Sequence, residues 1–405
     1  MRSPIQNESI SHLLQAGHEH HRAGKLEAAE QAFRNAMELE PANTDARLNL
    51  GVILNELGRV DEGVELLSHL VKDHPKLAAG WVQLARAIVP RGFVWEGHDA
   101  LRKSLKAKPD SHTLVVASMV LVMLNDLAAA ESACQRALKL TPDSFSAWIQ
   151  MGQVLAADGR KPAAASAFRR ASEIEPHNAI AAFYLASLTP GADKAAAPPE
   201  YVRMLFDGYA ERFDGMLVGT LRYRVPELLD GLFSRWFNCA RGKNAAELTM
   251  FDAGCGTGLC GQWLAEYRGR LVGADLSPKM IEQARSRKVY DDLIVGDIVA
   301  ELEKRPRGFD VIVAGDVLVY FGDLTQLFTA AANALRPGGA FLFSVESTAD
   351  ADYLLRSTQR FAHSKDYLNR LASANGLAVR VIEEDRLRVE KGKDVRGYLV
   401  LAEKP

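Results

Sequence analysis

Two textures divide this sequence, and they predict a multidomain chain: an all-α solenoid of paired helices, then a doubly wound α/β domain. The first observation is a row of prolines, Pro41, Pro75, Pro109, Pro142 and Pro176, spaced by 34, 34, 33 and 34 residues. The second is an alternation, beyond residue 200, of short apolar runs with helical stretches. The third is a glycine-rich turn, FDAGCGTGLCG (Phe251–Gly261), directly behind one of those runs. Together they set domains at 1–188 and 200–405, joined by a linker at 189–199.

Bulk properties limit the function classes. A length of 405 residues suits two ordinary domains, and 48% apolar with 25% charged residues suits a soluble globular protein. A net charge of −2 and a sequence pI near 6.6 imply no general attraction to nucleic acid or anionic membrane. The opening MRSPIQNESI has no apolar targeting core, and no run reaches bilayer-spanning length. Cys134, Cys239, Cys255 and Cys260 form neither a disulfide framework nor a paired zinc pattern, so no metal and a reducing, cytoplasmic setting are expected.

In the periodic half, each proline follows a helical phrase such as AMELEP or ALKLTP and stops it. Aligning on the prolines puts Gly17, Gly51 and Gly152 in one column, where paired helices need a small residue. Ala29, Ala130 and Ala164 form a second column, and Phe33, Leu67, Leu101 and Phe168 a third. Gly24, Gly58, Gly92 and Gly159 fall at the turn inside each pair, where a left-handed backbone suits glycine. The third unit departs, with Gly97, Ser104 and a weakened turn in VPRGFVWEG.

This 34-residue period, over about residues 10–176, resembles the tetratricopeptide repeat. The resemblance implies a stack of five helix pairs with HNAIAAFYLASL (His177–Leu188) as a capping helix. It also implies a concave face lined by the first helix of each pair, one column of which reads Gln15, Asn49, Gln83, Val116 and Gln150. That column is either a solvated stripe or an amide row that binds an extended peptide. A protein or peptide partner is the expected use of the solenoid.

TPGADKAAAPPE breaks the periodicity with prolines, glycine and small residues, as a linker does. Strands are then expected at Thr249–Asp252, Leu271–Ala274, Asp292–Val295, Val311–Ala314 and Ala340–Val345. Helices lie between them, one opened by Ser277-Pro278, a capping serine with proline at the first helical position. Strands alternating with helices give a parallel, doubly wound sheet, whose ligands bind beyond the carboxyl ends of the strands.

The ligand of the glycine turn follows from its surroundings. Gly254, Gly256 and Gly258 are spaced G-x-G-x-G, and Leu259 stands where a dinucleotide fingerprint wants its third glycine. No Gly-Lys-Ser/Thr follows, which excludes a P-loop. Asp252, just ahead of the turn, disfavours a pyrophosphate and suits a ligand bearing a sulfonium and an ammonium. Asp275 closes the second strand, where an acid accepts from adenosine ribose hydroxyls, a device NAD enzymes share. Asp297 closes the third, within reach of an adenine amino group. Each of these acids taken alone is equally well explained as an ordinary cap.

The ordered series from Tyr201 to Pro405, ending in ALRPGGAFLFSVE and a C-terminal hairpin around Lys391–Asp394, resembles the class I S-adenosyl-L-methionine-dependent methyltransferases. The resemblance implies a Rossmann-like domain in which the turn at Asp252–Gly258 cradles the methionine end of the cofactor. It implies that Asp275 and Leu276 hold the ribose, and that Asp297 and Ile298 hold the adenine. Ala314, Gly315 and Asp316 would lie beside the transferred methyl, and Tyr209 and Phe213 would lid the cofactor.

Asp316 is the leading candidate for a general base, with Tyr320 and a loop histidine, His363, behind it. The fourth strand lacks an Asn-Pro-Pro-Tyr-type ending, which argues against amino methylation of adenine or glutamine amides. The expected acceptor is a small molecule or a protein recruited by the repeats. The alternatives are a scaffold that binds cofactor without turnover and, less favoured, an NAD-dependent oxidoreductase.

Overall fold

The computed structural model describes residues 4–189, 196–210, 213–215, 221–240, 248–267, 269–390 and 392–405, without the side chains of 4–9, 208–209, 213 and 238–240. The chain divides into two compact units, Met1–Ala181 and Ala182–Pro405.

The first unit holds five helix pairs: α1 (Pro4–Arg22) with α2 (Leu26–Leu39), α3 (Thr44–Glu56) with α4 (Val60–Asp73), α5 (Ala78–Ile88) with α6 (Val94–Lys106), α7 (Ser111–Met123) with α8 (Leu127–Leu140), and α9 (Phe145–Ala157) with α10 (Lys161–Ile174). The small-residue column explains the pairing. A Cβ added at Gly17 would sit 2.6 Å from the Phe33 ring, at Gly51 2.7 Å from Leu67, and at Gly152 2.4 Å from Phe168. In the fourth pair the same contact is polar, with Cys134 Sγ 3.1 Å from Ser118 Oγ. Gly24, Gly58, Gly92 and Gly159 have φ of 70°, 78°, 91° and 79°, and Asn125 takes that turn position in the fourth pair at 59°.

The departures of the third pair have local causes. A Cβ at Gly97 would lie 2.2 Å from Val89, and Ser104 donates to the Ala78 carbonyl at 2.8 Å. A short 3₁₀ turn over Val89–Arg91 replaces the usual sharp exit. The column forms neither a solvated stripe nor an exposed amide row at three of its positions: Gln83, Val116 and Gln150 are buried, and Gln150 donates to Ser118 Oγ at 3.2 Å. Asn49 donates to the Asp45 carbonyl and Gln15 to Glu19, so each spends its amide within its own helix.

Helix α11 (Ala179–Ser187), expected as a cap, contains the division between the units. Its Phe183 ring packs within the second unit at 5.0 Å from Tyr201 and 6.4 Å from Phe361. Residues 190–195 of the expected linker lie outside the described residues, and Ala197 N–H donates to the Tyr320 carbonyl at 2.8 Å. Helices α12 (Pro199–Tyr209), α13 (Phe213–Gly215) and α14 (Val225–Ala240) lead into the sheet.

The sheet is built from β1 (Thr249–Ala253), β2 (Arg270–Asp275), β3 (Asp292–Val295), β4 (Phe309–Ala314), β5 (Leu335–Ser347), β6 (Tyr353–Leu355), β7 (Phe361–His363), β8 (Ala378–Glu390) and β9 (Lys393–Glu403). Its order is β3-β2-β1-β4-β5-β7-β6, and β9 pairs antiparallel with both β5 and β8. The parallel strands β3-β2-β1-β4-β5 reverse direction of growth at β1, which makes the end of β1 the switch point. Side chains alternate between faces. Phe251, Ile312 and Phe341 pack with Leu302, Phe328 and Leu368 on one face; Met250, Val311 and Leu342 pack with Phe233 and Trp263 on the other.

Helices α15 (Leu259–Leu264), α16 (Pro278–Ser286), α17 (Ile298–Glu303), α18 (Thr325–Ala334) and α19 (Lys365–Ala374) fill the connections. Two expectations change. Arg336–Gly339 is not a free turn: β5 pairs from Leu335 opposite Phe309, then shifts register to Val311 opposite Ala340, with Gly338 at φ 69°. His363 is not in a loop but in β7, paired with Tyr353 of β6, a short hairpin that apolar patterning did not reveal.

Candidate functional site

The glycine turn follows β1 because its backbone needs conformations that side chains oppose. Gly254, Gly256 and Gly258 have φ of 68°, 53° and 89°. The amides of Gly254 and Cys255 both donate to the Ala274 carbonyl, at 2.8 and 3.0 Å, which pins the turn to the end of β2. A Cβ at Gly254 would lie 2.5 Å from Val317, just beyond β4.

Asp275 fastens this arrangement. Its carboxylate accepts from Gly256 N–H at 3.0 Å and from Ser277 N–H at 2.9 Å. Burial pushes its carboxyl up to about 6, against the pull of those two amides. A carboxylate has about four lone-pair directions, so with these amides on it Asp275 still has capacity for a hydroxyl donor. Leu276 beside it is half-buried. Asp297 is exposed and caps α17 through Ala300 N–H at 2.9 Å, while its neighbour Ile298 is buried.

Asp252 differs from its expected role as an open partner for a cation. It is 1% exposed and accepts the Tyr290 hydroxyl at 2.6 Å. Burial, with the Asp275 charge adding, pushes its carboxyl up to about 7. Tyr290 was missed by sequence reasoning, since a lone tyrosine between a helix and a strand carries no signal. Its ring closes the space a Cβ would take at Gly258, Gly261 and Gly273, at 3.1, 2.2 and 2.8 Å.

The lead-in segment is tied to the same two loops. Ser277 Oγ donates to Asp207 of α12 at 2.5 Å, and Thr257 Oγ1, inside the glycine turn, donates to Asp214 of α13 at 2.5 Å. Arg287 pairs with Asp214 and donates through Nε to the Thr257 carbonyl. The side chains of Tyr209 and Phe213 lie outside the described residues. Asp207 and Asp214, flanking that aromatic pair, were the readable hint that this segment is anchored here.

Ala314 and Gly315 end β4 beside α15, since a Cβ at Gly315 would meet Cys260 Sγ at 3.0 Å. Asp316 follows at φ 57° with its N–H on Ser344 Oγ at 2.9 Å. Its carboxylate takes Arg388 Nη1 at 3.2 Å, so the candidate base is already an ion-pair partner. His363 is fully buried; Nε2 lies 3.0 Å from the Gly322 carbonyl, and burial pushes its ring down to about 4.

Residues 251–343 match the family model described as a methyltransferase domain, and residues 20–88 and 115–179 match two tetratricopeptide-repeat models. The chain joins tetratricopeptide repeats to a methyltransferase-family domain. Among curated relatives, a biotin biosynthesis bifunctional protein from Saccharophagus degradans is 33% identical over 96 residues, 23% of this chain and 17% of that one. The mitochondrial ubiquinone biosynthesis O-methyltransferase of Rattus norvegicus is 26% identical over 139 residues, 33% of this chain and 40% of its own. The chain thus spans less than half the length of these relatives. Among solved structures, a tetratricopeptide-repeat protein from Thermus thermophilus is 21% identical, with a TM-score of 0.41 over 44% of this chain and 98% of that one.

The residues of the methyltransferase domain fit S-adenosylmethionine. The turn offers bare backbone where side chains would collide, Asp275 keeps acceptor capacity at the switch point, and Asp297 with Ile298 sets a polar beside an apolar side chain one strand further on. No helix of the described residues is long and apolar enough to cross a membrane, and no group of three or more His, Cys, Asp or Glu among them is placed to hold a metal ion.

Proposed function

We propose that this protein is an S-adenosylmethionine-dependent methyltransferase acting on a small molecule or on a protein recruited by its repeats. The observation that carries the reading is the Asp275 carboxylate, which joins the left-handed glycine turn to the start of α16 at the switch point of the sheet. When bound, the cofactor supplies an activated methyl on a sulfonium. The protein supplies position and dryness.

Gly254, Gly256 and Gly258 give the close backbone approach; Asp275 and Leu276 take the ribose; Asp297 and Ile298 take the adenine. The α12–α13 segment, held by Asp207 and Asp214, shields the turn from water. Ala314, Gly315 and Asp316 form the acceptor side, with Asp316 shaping it rather than removing a proton. An oxygen acceptor agrees with the O-methyltransferase activity by which the ubiquinone-biosynthesis relative is named.

A thermal-shift comparison of S-adenosylmethionine, S-adenosylhomocysteine and NAD tests the reading. We expect the first two to stabilise the protein; stabilisation by NAD alone would overturn it in favour of an oxidoreductase.

A further inference from the structure

Four groups expected or placed near the end of β4 are each held back from accepting a proton. Asp316 is paired with Arg388, whose side chain is 0% exposed, so protonating Asp316 would leave a buried guanidinium short of a partner. His363 is sealed in β7 against Gly322. Burial holds the phenols of Tyr320 and Tyr223 above their ordinary range, which keeps them protonated. Of Asp316, His363, Tyr320 and Tyr223, none stands ready to deprotonate an acceptor.

The same end presents cations in two ranks. Arg388 is the closed rear rank, bonded to Asp316 and Glu346. Arg360 is the front rank: its side chain keeps 19% of its surface open, beside Asp316 with 14%. Its acid contacts are long, 3.4 Å to Glu390 and 3.9 Å to Glu346, and Glu346 is already shared with Arg356 at 3.0 Å and Arg388. Three guanidiniums, Arg356, Arg360 and Arg388, face three carboxylates, Asp316, Glu346 and Glu390. The cluster is neutral before any substrate arrives, and the cofactor's sulfonium adds one positive charge.

Resting on the methyl-transfer reading above, we propose that the acceptor is an anion, a carboxylate above all, seated on Arg360, and that its own charge replaces a general base. A planar guanidinium suits a carboxylate in two-pronged contact. In the step, a carboxylate oxygen lone pair forms the O–CH3 bond while the S–CH3 bond of S-adenosylmethionine breaks. The products are a methyl ester and S-adenosylhomocysteine; the acceptor's negative and the sulfonium's positive charge cancel, and no proton moves.

The test has two arms, both on the full chain. In the first, glutarate and its uncharged diamide are titrated against the protein saturated with S-adenosylhomocysteine, read by thermal shift. Glutarate is expected to stabilise and the diamide not; Arg360→Met weakens the glutarate response by roughly tenfold or more, and Arg360→Lys recovers part of it. Equal responses to both compounds, or an unchanged response in Arg360→Met, overturn the proposal. In the second, methyl-labelled cofactor is incubated with cell extract and the product is treated with alkali. Release of the label as methanol marks an ester, while alkali-stable label overturns the carboxylate assignment but leaves methyl transfer standing. Absence of any stabilisation by S-adenosylhomocysteine overturns the methyltransferase reading itself, and this inference with it.

Discussion

At the scale of single residues, two acids carry most of the site's electrostatic tension. Asp252 and Asp275 have carboxyls raised to about 7 and about 6, so the folded chain keeps protons that the unfolded chain releases near 4. Stability from these groups is therefore full below about pH 4 and is lost as pH climbs through about 6 to 7. Thermal melting of Asp252→Asn across pH 5–8 should show a shallower decline than the parent; parallel curves would remove Asp252 as the source. Asp275→Ala should weaken S-adenosylmethionine binding by about 1.5–3 kcal/mol, since a carboxylate that serves two backbone amides and, in the proposed site, the ribose is lost. Unchanged affinity in calorimetry would falsify the ribose assignment. The sequence showed Asp275, Asp297 and the three glycines at their strand ends because motif spacing reports backbone geometry. It did not show that Asp252 is buried under Tyr290, or that Asp316 is paired with Arg388, because those partners lie 38 and 72 residues away in sequence.

At the scale of elements, the strands with uniform apolar runs were legible and the irregular ones were not. β1 to β4 appear within a residue or two of their expected limits, since each is a short apolar run bounded by turn residues; β3 alone is partly exposed along its whole length. The hairpin of β6 and β7 escaped notice because each strand has three residues, too few for any periodicity. β5 began five residues early because Leu335 pairs with Phe309 ahead of a bulge in which Arg-Pro-Gly-Gly is passed over before Ala340 pairs with Val311. The α12–α13 segment yields a prediction at this scale. Asp214→Asn removes the ion pair to Arg287 and weakens the bond from Thr257. It should speed cofactor release several-fold in stopped-flow measurements while changing the melting temperature little, because the Asp214 side chain is 44% exposed and its pair is screened by solvent. In the repeats, Gly152→Val should destabilise by about 1–3 kcal/mol through collision with Phe168, whereas a change at exposed Gln15 should not.

At the scale of the whole molecule, the two-part organisation was readable from period alone, but the position of α11 was not. Periodicity marks where helices fall, whereas the second half of this helix takes its partners, Tyr201 and Phe361, from residues far along the chain. A fragment of residues 179–405 should therefore melt higher than one of residues 189–405, by a margin of about 2–4 kcal/mol for the loss of buried Phe183 and Tyr184. Equal melting of the two would show that α11 adds nothing to the second unit.

Tyr290 carries a consequence that reaches beyond one molecule. Three glycines on three different segments, the cofactor turn, α15 and β2, all yield space to its ring, and its hydroxyl reaches the acid at the end of β1. In evolutionary terms these positions are not free to drift separately. A relative that carries a side chain at the place of Gly261 or Gly273 should carry a smaller residue at the place of Tyr290, and comparison of related sequences should reveal that exchange as covariation.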